Sequence, residues 1–194
     1  MNSNIEIEAK VLLLKDEYDT IIKELKLDKY RKITQTNHYI DTPDSFLKKN
    51  GIALRVREIN QEFVLTLKTP LSEGLLEKND SISWRDFDLL KDENVFPDGG
   101  IKKFLQILGV KIEELKILTS LTTDRIEIDY KGGILCVDKN HYSGIIDYEL
   151  EVEFTSIEGA KDLALKVLKE CNISNSTFSG DISLLFPSTK SNAI

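Results

Sequence analysis

The 194-residue sequence is poor in several residue types on which active sites are often built. It holds two histidines, two cysteines, one tryptophan and one methionine. Cys136 and Cys171 stand far apart, without CxxC or Cys/His spacing, so a zinc site is not expected. Both lie among apolar residues and read as reduced core cysteines of a cytoplasmic protein. No Ser/His or Cys/His set for nucleophilic catalysis is apparent, and no GxxxxGK[ST] sequence supplies a P-loop. No apolar run approaches the ~18 residues of a membrane span, and the polar first residues lack the h-region of a signal peptide. Basic excess is missing too. A formal net charge of -7 argues against a broad nucleic-acid or anionic-membrane surface, while leaving room for a local basic pocket.

What remains is Asp, Glu, Lys and Arg, which make up 30% of the chain beside 41% hydrophobic residues. That balance suits one soluble domain, residues 1–194, with a real core. The charges are patterned. In residues 4–13, Glu6, Glu8 and Lys10 alternate with Ile5, Ile7, Ala9 and Val11, the period of a strand with one charged face. The same device recurs in 31–41, where Asn37, Tyr39 and Asp41 share a face, and in 52–59, with Arg55 and Arg57 opposite Leu54 and Val56. It returns in 62–69 with Lys68, in 119–130 with Arg125, Glu127 and Asp129, in 134–139 with Asp138, and in 147–154 with Glu149, Glu151 and Glu153. Another strand is expected near 80–85, with Glu77 just ahead of it.

Helices are expected over 15–26 and 44–50, the latter with Thr42 as cap and Pro43 at its first position. Residues 86–117 read as a helical insert, and Ser156 as the cap of a last amphipathic helix. A short apolar segment, 182–186, precedes Pro187 and Lys190. Strands joined mostly by hairpins, with helices between, make an antiparallel α+β protein.

Like charges two residues apart on one strand face lie about 6–7 Å from each other and repel. Acidic and basic strands would satisfy one another if their charged faces looked into one interior, a closed barrel with a charged lumen and helices packed outside. The alternation also fits a sheet with its charges in water, and pattern alone does not choose. The chemistry is more specific. Clustered carboxylates suit Mg²⁺ or Mn²⁺, and Arg and Lys suit phosphate oxygens. Together they describe a site for a phosphate chain and its metal.

These landmarks resemble the CYTH family, also called triphosphate tunnel metalloenzymes. The resemblance rests on Glu6-x-Glu8-x-Lys10, Asn37 to Thr42, Leu54-Arg55-Val56-Arg57, Leu65 to Lys68, Arg125, Asp138 and Tyr148-Glu149-Leu150-Glu151, in the family's order and closest to its small bacterial single-domain members. It implies an eight-stranded antiparallel tunnel and Mg²⁺- or Mn²⁺-dependent work on a small triphosphate. Carried over, Glu6, Glu8, Glu149 and Glu151 hold metal, with Asp138 on the metal side. Lys10, Arg55, Arg57, Lys68, Arg125 and Lys190 grip the triphosphate; Lys10, Glu8 and Arg57 are central to catalysis. Glu77, Glu153 and Tyr39 are further tunnel candidates. After Lys190 the sequence departs from the family, which often places an Arg a few residues on. The expected activity is hydrolysis of a terminal phosphoanhydride by a monomer or homodimer. Adenylyl cyclase, thiamine triphosphatase and a non-catalytic polyphosphate-binding module are the alternatives.

Overall fold

A computed structural model describes residues 2–174 and the backbone of 177–178. Among the described residues ten strands form one antiparallel sheet: β1 (Asn2–Glu6), β2 (Glu8–Leu13), β3 (Lys32–Asp41), β4 (Ala53–Ile59), β5 (Glu62–Pro70), β6 (Leu75–Ile82), β7 (Lys116–Tyr130), β8 (Gly133–Tyr142), β9 (Ile145–Glu153) and β10 (Thr177–Phe178). Their hydrogen-bonded order is β1-β6-β5-β4-β3-β7-β8-β9-β2-β10. The helices are α1 (Lys15–Glu24), α2 (Phe46–Lys49), α3 (Trp84–Glu93), α4 (Gly100–Ile107) and α5 (Ile157–Glu170).

The expected closed eight-stranded barrel does not form. The sheet curls into an open half-barrel, with no ladder between its first and last strands among the described residues. The reason lies in the first strand, expected to run unbroken over 4–13. It is interrupted at Ile7; the half before the break pairs with β6 and the half after it with β9. The segment that would close a barrel is thus shared between two neighbours, and neither half reaches across to both. At the break, the Ile7 carbonyl accepts a hydrogen bond of 3.0 Å from the Phe154 N–H.

The register places the alternating charges on one face. Glu8 opposes Glu153 and Lys10 opposes Glu151; Asp138 opposes both Glu149 and Arg125; Asn37 opposes Arg57; Lys68 opposes Glu77. This is the inner face of the curl. The other face is apolar and carries two separate cores. Ile40, Leu54, Val56, Leu65 and Leu67 pack beneath Leu47 of α2, Phe87 and Leu90 of α3, and Ile101 and Leu105 of α4. Val11, Leu135, Val137, Leu150 and Val152 pack beneath Ile21 of α1 and Leu163, Val167 and Leu168 of α5. Covering a sheet's apolar face with helices leaves the polar face as the interior of the curl.

Several boundaries differ from expectation. The strand expected near 80–85 is β6, and Glu77 lies within it, because pairing with β5 outweighs the weak β propensity of Glu77-Lys78-Asn79-Asp80. Residues 84–93 form α3, which starts at Ser83: its hydroxyl accepts from the Asp86 N–H, and the Asp86 carboxylate accepts from the Ser83 N–H. The helix expected over 44–50 shrinks to α2, with Pro43 outside it. Its amides are met from upstream. Buried Asp41 accepts from the N–H groups of Thr42, Leu47 and Lys48, and Thr42 Oγ1 from that of Phe46. Asp41 is therefore spent on this turn.

Candidate functional site

The site is built from strand residues, whose ladders fix side-chain direction, with Glu6, Glu8 and Glu153 at strand ends. Three regions meet on the inner face. The first is a carboxylate cluster at the break between β1 and β2. One oxygen from each of Glu6, Glu8, Glu151 and Glu153 lies within 4.8 Å of all the others. Glu8 is 4% exposed, and neither of its oxygens accepts a hydrogen bond among the described residues. A buried carboxylate without donors is costly unless it is protonated or binds a cation. Burial and then the nearby Glu151 push the Glu8 carboxyl up to about 8. Burial works the same way on Glu151, but Arg125 and Lys10 prevail and hold it well below the ordinary carboxylate range. A proton shared by this pair therefore sits on Glu8.

The second region braces the first with cations. Lys10 Nζ lies 3.0 Å from Glu151 and 3.4 Å from Glu8. Burial opposes its charge, yet Glu151, Glu8 and Glu149 keep Lys10 protonated well above its usual range. Lys68 pairs with Glu6 and lies 3.5 Å from Glu77 and 3.9 Å from Glu8. Arg125 makes a two-pronged contact with Asp138, at 2.9 and 2.7 Å, and a third at 3.0 Å with Glu151.

The third region is cationic. Among the described residues Arg55 and Arg57 pair with no carboxylate, and Arg57 Nε instead donates 3.1 Å to the Oδ1 of buried Asn37. Burial above all, then Arg55 and Arg125, lower the Arg57 guanidinium to about 10. One face thus presents buried acids and, apart from them, two arginines without an anionic partner among the described residues. An elongated polyanion with a divalent cation complements both.

Not every expected metal ligand joins the cluster. Asp138 is clamped on Arg125, and Glu149 accepts 3.1 Å from Asn140; neither belongs to the four-carboxylate group, whereas Glu153 does. Glu77 sits beside Lys68 and accepts 2.8 Å from Asn79. Tyr39 has the inner-face parity but packs with Leu121 and Tyr142. Lys190 lies outside the described residues. Trp84, the only tryptophan, is 65% exposed at the start of α3, on the outer helical layer. Sequence reasoning gave no role to Asn37, Asn79 or Asn140, which orient Arg57, Glu77 and Glu149. It also took Cys136 for a core residue, whereas Cys136 opposes Glu151 on the inner face. The available signal was parity: Asn79, Asn140 and Cys136 each stand two residues from a charge on the same strand, and Asn37 shares its face with Asp41.

The four-carboxylate set fits a hard divalent cation. Its donors are all oxygen, and the donorless Glu8 oxygens are what a cation would satisfy.

The chain is similar to known proteins. A family model, the CYTH domain, matches residues 4–178. The chain is 34% identical over 173 residues to a Bacillus subtilis (strain 168) protein named "Putative triphosphatase YjbK", covering 89% of this chain and 90% of that one. Among solved structures, a Bacillus halodurans protein described as "a putative adenylate cyclase" superposes with a TM-score of 0.86 at 39% identity, over 96% of this chain and all of that one. HpAC1 from Hippeastrum, described as a "putative adenylyl cyclase" with a dominant triphosphatase activity, superposes with a TM-score of 0.69 at 26% identity, over 91% of each chain.

Proposed function

The chain belongs to the CYTH family, and we propose that it is a metal-dependent triphosphatase hydrolysing the terminal phosphoanhydride of inorganic triphosphate or a nucleoside triphosphate. One observation carries the reading: Arg55 and Arg57, without carboxylate partners among the described residues, share the inner face with a carboxylate cluster that includes the buried, donorless Glu8.

Arg55 and Arg57 take nonbridging phosphate oxygens, where guanidinium forks match the geometry. Asn37 fixes Arg57 by its Nε, leaving the terminal nitrogens for the ligand. Lys10, Lys68 and Arg125 are already paired with acids and reach phosphate by giving up part of that pairing. Glu6, Glu8, Glu151 and Glu153 would hold Mg²⁺ or Mn²⁺. Such an ion, when bound, supplies Lewis-acid stabilisation of charge on the phosphoryl and leaving oxygens. The carboxylates that do not ligate it can orient the attacking water.

The names of the relatives favour both triphosphatase and adenylyl cyclase, and the Hippeastrum protein's dominant triphosphatase activity favours hydrolysis. Exposed Trp84 offers no aromatic platform for thiamine triphosphate. The test is a product panel over tripolyphosphate, ATP, GTP and thiamine triphosphate with Mg²⁺ or Mn²⁺. Metal-dependent orthophosphate release from tripolyphosphate or ATP is expected. Cyclic AMP with pyrophosphate would mark the cyclase, and tight binding without turnover a binding module; either refutes the proposal.

A further inference from the structure

Cys136 is fully buried, yet it faces charge instead of a core. It opposes Glu151 in the ladder between β8 and β9, and its Sγ lies 3.8 Å from Glu127 Oε2. Its sulfur and one carboxylate oxygen from each of Glu151 and Glu153 lie within 4.8 Å of one another. The same two carboxylates belong to the all-oxygen cluster with Glu6 and Glu8. Buried Glu8, whose oxygens accept no hydrogen bond, borders this shared pair.

We propose that Cys136, Glu151 and Glu153 form a second metal subsite, selective for thiophilic divalent ions such as Cd²⁺ or Zn²⁺ and mutually exclusive with the all-oxygen site because both need Glu151 and Glu153. One sulfur and two carboxylate oxygens make a three-ligand protein set, which borderline and soft ions accept and Mg²⁺ does not use. Binding exchanges the S–H bond for a metal–sulfur bond, and the proton leaves by way of Glu127, the carboxylate facing the thiol. A thiophilic ion would then withdraw half the ligands of the hard-ion site. The cysteine thus makes the basin sensitive to soft metals, a property that does not depend on the reaction proposed above.

The test is spectroscopic. Cd²⁺ is titrated into the metal-free protein, and the cadmium–thiolate charge-transfer absorbance is followed. Wild type should show one such site per chain. Cys136→Ser should lose the band, and Glu153→Gln should weaken Cd²⁺ binding at least ~10-fold, as loss of a ligand or its support does. Cys171→Ser should keep the band, because Cys171 packs beneath α5 on the opposite face. Excess Mn²⁺ should displace Cd²⁺ from the wild type, a measurement that needs no variant. A band that survives in Cys136→Ser, or Mn²⁺ and Cd²⁺ bound together without competition, overturns the proposal. Neither outcome bears on phosphate release, so the two readings fail separately.

Discussion

Five cations on the inner face differ in what surrounds them, and the difference predicts what each substitution does. Arg57 has a neutral partner, Asn37, and stands among like charges. Arg57→Ala should cost only ~1–2 kcal/mol, the loss of one hydrogen bond to buried Asn37, since it orphans no buried acid, yet reduce turnover at least ~10²-fold through a lost preorganised contact. Arg125 is the reverse: removing it strands buried Asp138 and Glu151. Breaking a buried pair costs about 3–5 kcal/mol, so Arg125→Ala should lower Tm by ~10 °C in thermal denaturation. Equal Tm losses in the two variants would contradict this division of roles. Glu8 makes a pH prediction. Its folded-state value is raised from 4.5 to about 8, so its stabilising contribution is full below 4.5 and is lost as pH rises through 8. Metal-free Glu8→Gln should match wild type near pH 4.5 and exceed it in Tm by ~5 °C or more at pH 8.5. A gap that does not change with pH would count against the donorless buried carboxylate.

At the scale of elements, the decisive feature is the break between β1 and β2, which brings Glu6 and Glu8 to the point where the curled sheet's halves meet. The loop between β5 and β6 presses on it. Gly74 has φ +75°, and a Cβ there would lie 2.5 Å from the Glu6 carbonyl oxygen and 2.8 Å from Ile7 Cγ1. Gly74→Ala should therefore cost ~1–3 kcal/mol and also depress activity by displacing the Glu6 backbone. Stability lost with metal affinity intact would separate the loop from the site. The break itself was not legible in the sequence: Ile5 to Val11 alternate without interruption, and only the sheet's need to serve two neighbours splits them. The charged face was legible, because Arg55/Arg57 and Glu149/Glu151/Glu153 repeat a period of two, and a one-residue slip would expose Leu54, Val56, Leu150 and Val152. Which face was wet was not, since alternation is symmetric; the two helical cores decide it. The helical insert expected over 86–117 contains most of α3, but its start was misplaced, with 84 and 85 read as strand, because that start depends on a reciprocal Ser83–Asp86 cap. The extent of α2 was misjudged because Asp41, six residues before Leu47, does the capping.

For the molecule as a whole, the arrangement inverts the usual order: two apolar cores lie outside the curl and the ionic groups inside it. The charges hold one another, acids by Lys10, Lys68 and Arg125, while among the described residues Arg55 and Arg57 are left over. That surplus, facing a cluster that lacks cationic partners for all its oxygens, is what a metal–triphosphate complex would complete. Calorimetric titration of tripolyphosphate, with and without Mn²⁺, into wild type and Arg55→Ala/Arg57→Ala tests this most directly. The account predicts one site per chain, tightened by the metal, and at least ~10²-fold weaker in the double variant, two charge-assisted contacts being worth ~1.5–3 kcal/mol each. Equal affinity in the two proteins, with the variant still folded, would contradict it.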